Sequence, residues 1–79
     1  MISSENIQEI LSQIIYPGFT KSITAFGFVK KIHRVDEHIQ ITLDIPSNAP
    51  EVEEQLRLEV ENRLRLLGDI TLDLTIIKP

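Results

Sequence analysis

Apolar residues in the first quarter of the chain fall on one side of a helix: Ile7, Ile10, Leu11, Ile14 and Ile15 recur at three- and four-residue intervals, with Ser3 or Ser4 ahead of them as N-cap. This spacing predicts a first helix over about residues 4–15. Pro17 biases Tyr16 away from the helical region and Gly18 takes conformations closed to other residues, so the helix is expected to stop there. Phe19 to Ala25 reads as a linker or one short helical turn, with Phe19 and Ile23 directed into the core. From Phe26 the period shortens through Val29, Ile32 and Val35, and the polar run Asp36-Glu37-His38 turns the chain. The return strand alternates cleanly, with Ile39, Ile41, Leu43 and Ile45 on one face and Gln40, Thr42 and Asp44 on the other.

Pro46-Ser47-Asn48-Ala49-Pro50 breaks that strand and opens a second helix. Asn48 or Ser47 is available as N-cap, Pro50 suits the first turn, and Glu51 and Glu53 complement the helix dipole. Val52, Leu56, Val60, Leu64 and Leu67 form its buried stripe, and Gly68 follows as a stop, which gives a helix over about residues 49–67. Acid-then-base pairs Glu53–Arg57, Glu59–Arg63 and Glu61–Arg65 line its outer side. Ile70, Leu72, Leu74 and Ile76 alternate with Thr71, Asp73, Thr75 and Ile77 as a last strand. The expected architecture is therefore α+β: a two-layer sandwich in the order α-β-β-α-β, its three-stranded sheet carrying both helices on one face. Pairing of the last strand with the second would make a parallel crossover. Pairing with the first would leave the sheet antiparallel throughout, and the pattern accommodates both.

Composition bounds this picture. The 79 residues allow one domain, and 42% hydrophobic with 25% charged residues is an ordinary globular balance. No apolar run is long enough to span a membrane, and Met1 to Glu5 lacks the basic and apolar regions of a secretion signal, so a cytoplasmic protein is expected. Zero cysteines remove any disulfide framework and any thiolate ligation of zinc or of an iron–sulfur cluster by this chain. The net charge of −4 is uneven: Ile41–Pro79 carries eight acids against four bases, whereas the first half is balanced. Such a chain does not attract nucleic acid or anionic lipid at long range. Lys21, Lys30, Lys31, His33 and Arg34 are the one basic patch, and without interleaved aromatics they read as a solvated strand face.

A search for catalytic chemistry finds little. His33 and His38 are expected to face each other across the hairpin, but no further ligand accompanies them. Asp36 and Glu37 belong to a turn, and Glu51, Glu53 and Glu54 to a helix start. The serines lie outside any nucleophile elbow, and a single Gly27 makes no phosphate loop. No catalytic, cofactor-binding or metal-binding residue is assigned. What remains is surface: the Pro46–Pro50 loop and an open sheet face carrying Gln40, Thr42, Asp44, Thr71, Asp73, Thr75 and Ile77, with Lys31, His33 and Val35 at its side.

Pro17 after a first helix, Phe26-Gly27-Phe28-Val29 entering a hairpin, and Pro46 to Pro50 opening a helix together give the chain a likeness to a known family. The chain resembles the FSCA-type iron–sulfur cluster assembly domain over nearly its whole length. Where that family carries an acidic pair around the proline this chain has Tyr16 and Gly18, and where it carries a motif cysteine this chain has Asn48 or Ala49. With Ile14-Ile15-Tyr16-Pro17, the pattern is most similar to the N-terminal domain of Mrp/ApbC-type carrier P-loop ATPases. The resemblance implies a single FSCA-type domain over residues 1–79 of a longer protein, whose remainder supplies the ATP site and the 4Fe-4S cluster. This chain would then be no enzyme itself. Its implied partners are proteins: an iron–sulfur client or carrier, and the ATPase domain in cis, with Pro46, Ser47, Asn48, Ala49 and Pro50 as the candidate interaction loop. A freestanding adaptor acting as a homodimer is the alternative, and a small RNA-binding module using Lys30, Lys31 and Arg34 is a third reading.

Overall fold

The computed structural model describes residues 3–79; Met1 and Ile2, part of the segment read for a secretion signal, lie outside the described residues. The elements are α1 (Ser4–Leu11), β1 (Val29–Val35), β2 (His38–Asp44), α2 (Pro50–Arg65) and β3 (Thr71–Ile77). Their order is the expected α-β-β-α-β. β2 is central, antiparallel to β1 and parallel to β3, so the sheet is mixed and the open choice falls to the parallel crossover. Burial explains it: β2 has no exposed edge and supplies the fully buried Ile39, Ile41 and Leu43, and Ile45 continues the buried row just beyond it. Both helices pack on that face, where Ile7, Leu11, Leu56, Val60 and Leu64 complete the core.

Four local differences from the sequence expectation have physical causes. First, α1 stops at Leu11, four residues before the expected end. Its last amides tighten into bonds from Gln13 N to Ile10 O and from Ile14 N to Leu11 O, and the Ser12 hydroxyl donates to Glu9 O. Beyond that point the chain is extended, so Ile14 and Tyr16 are buried while Ile15 is 48% exposed. The helical period placed Ile15 with the core; a period of two turns it outward. At the other end Ser3 is the N-cap, its Oγ accepting from Asn6 N at 3.1 Å.

Second, the expected linker is a small hairpin of its own. Ile23 N donates to Ile14 O at 3.0 Å and Tyr16 N to Lys21 O at 3.1 Å around an Ile15–Ser22 bridge. Ile23 is buried as expected, but Phe19 is 58% exposed, because it sits at the corner of the turn rather than on a helical turn.

Third, β1 begins at Val29 and not at Phe26. Val29 pairs with Leu43 and Lys31 with Thr42, leaving Lys30 as a bulge residue. The bulge lets Val29 and Ile32, an odd spacing apart, share the core face. The hairpin then closes through Asp36 and Glu37 alone, with Asp36 at φ 54 and His38 already in β2.

Fourth, α2 is capped by the Ala49 backbone without a side-chain bond, and neither Asn48 nor Ser47 serves as N-cap. Ser47 instead accepts from Ala49 N at 3.2 Å. With Pro50 at the first position one otherwise orphaned donor is absent, which lowers the need for a cap. The helix ends at Arg65, two residues short. Of the three expected ion pairs only Arg63–Glu59 forms among the described residues, at 3.1 Å; Glu53 turns instead to Lys78, also at 3.1 Å.

Candidate interaction surface

Tyr16-Pro17-Gly18-Phe19 is a tight turn closed by Phe19 N donating to Tyr16 O at 3.0 Å. Pro17 supplies the first central position and Gly18, at φ 84, the second, which is the type II arrangement that only glycine adopts without strain. The turn carries Tyr16 inward and Phe19 outward. The six residues from Thr20 to Ala25 then bring Phe26-Gly27-Phe28 to the entrance of β1, with Phe28 N bonded to Ile23 O at 3.0 Å.

All four aromatic rings of the chain meet here. Phe26 and Phe28 stack with centroids 5.1 Å apart and 12° between planes. Tyr16 stands edge-on to both, at 6.1 and 5.1 Å, and Phe19 lies 5.4 Å from Tyr16 and from Phe26. Tyr16 is 3% exposed, and among the described residues its hydroxyl has no hydrogen-bond partner. Gly27, at φ 76, makes the reversal between the stacked rings, and a Cβ there would meet nothing within 4 Å. The glycine is required by the backbone angle, not by crowding.

The parallel register does the rest. Asp44 pairs with Ile77, so Ile45-Pro46 and Lys78-Pro79 leave the sheet side by side, and Asp44 N donates to Phe28 O at 2.8 Å. Phe26-Gly27-Phe28 on one side and Ile45-Pro46 with Lys78-Pro79 on the other enclose an open groove of about 390 Å³, flanked by Lys30 and Asp44. Of the residues singled out from sequence, Phe26, Gly27, Phe28 and Pro46 come together in this groove. Pro17 belongs to the turn behind the rings, and Val29 packs against the core. Ser47, Asn48, Ala49 and Pro50 lead away from the groove into α2. Lys78, Pro79 and Ile45 were missed as groove residues, since only the pairing of β3 with β2 brings them there.

The open sheet face forms as expected. Lys31, Thr42 and Thr75 make one cross-strand row, and His33, Gln40 and Asp73 the next. His33 and His38 do not oppose each other: His33 pairs with Gln40 and His38 with Val35, which makes them diagonal neighbours. The basic patch is divided in the same way. Lys31 and His33 face the open side, Lys30 occupies the bulge, and Arg34 shares the core face with Ile39 and donates to Asp36 O at 3.1 Å.

The residues that would hold a cluster by thiolates, or a nucleotide by a glycine-rich loop, are not in the sequence. Thiolates are missing from the sequence, and among the described residues no three acids or histidines converge as metal ligands. The three glycines, Gly18, Gly27 and Gly68, stand singly in separate turns, and the sequence holds no glycine-rich phosphate-loop motif. Among the described residues, no helix is long and apolar enough to cross a membrane.

No protein-family model matches the chain. Over all of its 79 residues the chain is 35% identical to an iron–sulfur cluster carrier protein of Helicobacter pylori. It spans 22% of that protein's length.

Proposed function

From the kinship of this chain, over its whole length, with part of an iron–sulfur cluster carrier protein, we propose that it is an accessory, non-catalytic domain of an Mrp/ApbC-type carrier ATPase. In this reading it serves iron–sulfur protein maturation by contact with other proteins. The alignment of all 79 residues with 22% of a longer carrier is the observation that carries the proposal. The chemistry agrees with it: a chain without cysteine leaves the cluster, as cargo, to thiolates elsewhere, and its own resources are a partly buried aromatic cluster with Phe19 exposed and a wet sheet face. Isolation of the native product with an antibody against this domain tests the reading. The expected product is several times heavier than the 9.0 kDa of this chain and yields a phosphate-loop peptide on digestion. A native product of 9.0 kDa overturns it.

That second outcome would favour a freestanding adaptor acting as a homodimer. The observation on its side is the sheet order, which leaves β1 and β3 as edge strands available for pairing with a second copy. Sedimentation of the isolated chain as a monomer at high concentration would remove it.

A further inference from the structure

An edge strand presents a row of backbone donors and acceptors, and proteins guard such rows with lysines, prolines and bulges. β1 is guarded in this way: a bulge at Lys30 interrupts its ladder, and Lys30, Lys31 and Arg34 charge it. β3 carries no such guard. Its pairing with β2 runs unbroken from Thr71 to Ile77, it holds no proline, lysine or arginine, and its one charge is Asp73.

The ladder shows which backbone groups of β3 point outward. In a parallel pair, alternate residues direct both N–H and C=O at the neighbouring strand. Thr71 N donates to Glu37 O at 2.9 Å and Ile45 N to Ile77 O at 3.0 Å, so Thr71, Asp73, Thr75 and Ile77 serve β2. Leu72, Leu74 and Ile76 therefore turn their backbone groups to the edge. Arg57 of α2 agrees with that direction: it donates to Leu74 O at 3.4 Å and takes one of the two lone pairs there. The side chains of Leu72 and Ile76 pack half-buried against the core, and Ile77 on the opposite face is 47% exposed.

We propose that a second copy of this chain pairs here, β3 against β3, antiparallel across a twofold axis at Leu74. The inference rests on the protein-contact reading above and names the contact. In this register Leu74 faces Leu74 of the second copy and Leu72 faces Ile76, so every outward N–H and C=O of the three residues gains a partner and the half-buried apolar side chains cover one another. On the open face Asp73 meets Thr75 of the second copy, and Thr71 meets Ile77. Moving the axis to Asp73 would set two carboxylates directly opposite, and moving it to Thr75 would leave Leu72 unpaired. Above the edge, Glu53, Arg57, Glu61 and Arg65 form a row along α2 that follows Lys78, Leu74, Leu72 and Ile70. The two Arg57 side chains come nearest the axis, each flanked by Glu53 and Glu61 of the other copy, because the row alternates in sign. The closed twofold arrangement uses up the unguarded edge of both copies and leaves only guarded β1 edges outside.

A chain without cysteine makes the test clean. Asp73→Cys and Thr75→Cys, mixed under mild oxidation, are expected to give a disulfide-linked pair containing one of each, while each variant alone stays largely unlinked. Sedimentation equilibrium of the 79-residue chain from micromolar to millimolar concentration is expected to show a monomer–dimer equilibrium. Thr75→Asp, which sets an acid opposite Asp73 twice in each dimer, should weaken it about tenfold, and Thr75→Lys should tighten it. Both positions are exposed, and circular dichroism checks that the variants keep the fold. A monomer throughout, self-linking of Asp73→Cys, linking through Lys30→Cys at the β1 edge, equal effects of the acid and the lysine at position 75, or open-ended assembly would each overturn the proposal. The native-mass test reads chain length and the cross-links read the β3 edge, so either reading can fail without the other.

Discussion

Removing the Tyr16 hydroxyl should stabilise the protein. The ring is 3% exposed and packed among three phenylalanines, while its oxygen is buried without a hydrogen-bond partner among the described residues. Leaving water without such a partner costs a hydroxyl about 1–3 kcal/mol on the scale of protein mutations. Tyr16→Phe keeps the ring, its edge-on contacts with Phe26 and Phe28, and the extended backbone that Tyr16 N anchors to Lys21 O. Loss of one oxygen's dispersion contacts returns part of the gain, which leaves a net stabilisation of about 1 kcal/mol. The unfolding entropy scales at about 2.1 cal/mol/K per residue, so for a chain of 79 residues this corresponds to a rise in Tm of about 6 °C. Calorimetry of the two proteins, with urea titrations confirming an unchanged m value, makes the comparison. A Tm equal to or below that of the parent would refute the reasoning, since it would require the hydroxyl to be hydrogen-bonded in the folded protein.

Three further outcomes follow from the same structure. Ile41→Ala, at a position 1% exposed in the central strand, should cost about 2–5 kcal/mol and bring a domain of this size close to unfolding at room temperature, as urea titration will show. Gly18→Ala should lower stability by about 1–2 kcal/mol although the added methyl meets nothing within 4 Å, because the penalty lies in the φ of 84; a neutral result in a thermal melt would mean that the turn reshapes without cost. Arg63→Ala breaks an ion pair exposed on both sides and should change stability by less than about 0.5 kcal/mol, salt included, so a larger loss in the same assay would point to the bond from Arg63 to Gln13 at 3.3 Å.

Period alone located most of the framework. β2 and β3 appear where alternation is strict, and α2 where the stripe from Val52 to Leu64 repeats every four residues. The errors gather where two periods compete. Ile14 and Ile15 fit the helical face that ends at Leu11, yet the same residues also fit an extended segment, and the bonds to Lys21 and Ile23 decide for the strand. At Val29 and Ile32 the spacing matched no strand until a bulge at Lys30 absorbed one residue. Hydrophobicity and the four-residue spacing to Ile23 place Phe19 in the core, and the turn geometry puts it outside.

The candidate surface was legible only in halves. Phe26-Gly27-Phe28 and Pro46 could be singled out, each as a local motif, but nothing local relates residue 27 to residue 79. The sequence by itself determined the order of elements, the buried face of each and the absence of thiolate chemistry, because periodicity and residue type are properties of neighbours along the chain. Tertiary structure alone decided that β3 lies parallel beside β2, that Lys78 and Pro79 thereby stand opposite the stacked rings, and that the aromatic side chains form one cluster. Those are contacts between residues far apart in sequence, selected by how the apolar faces of two helices and three strands close over one core.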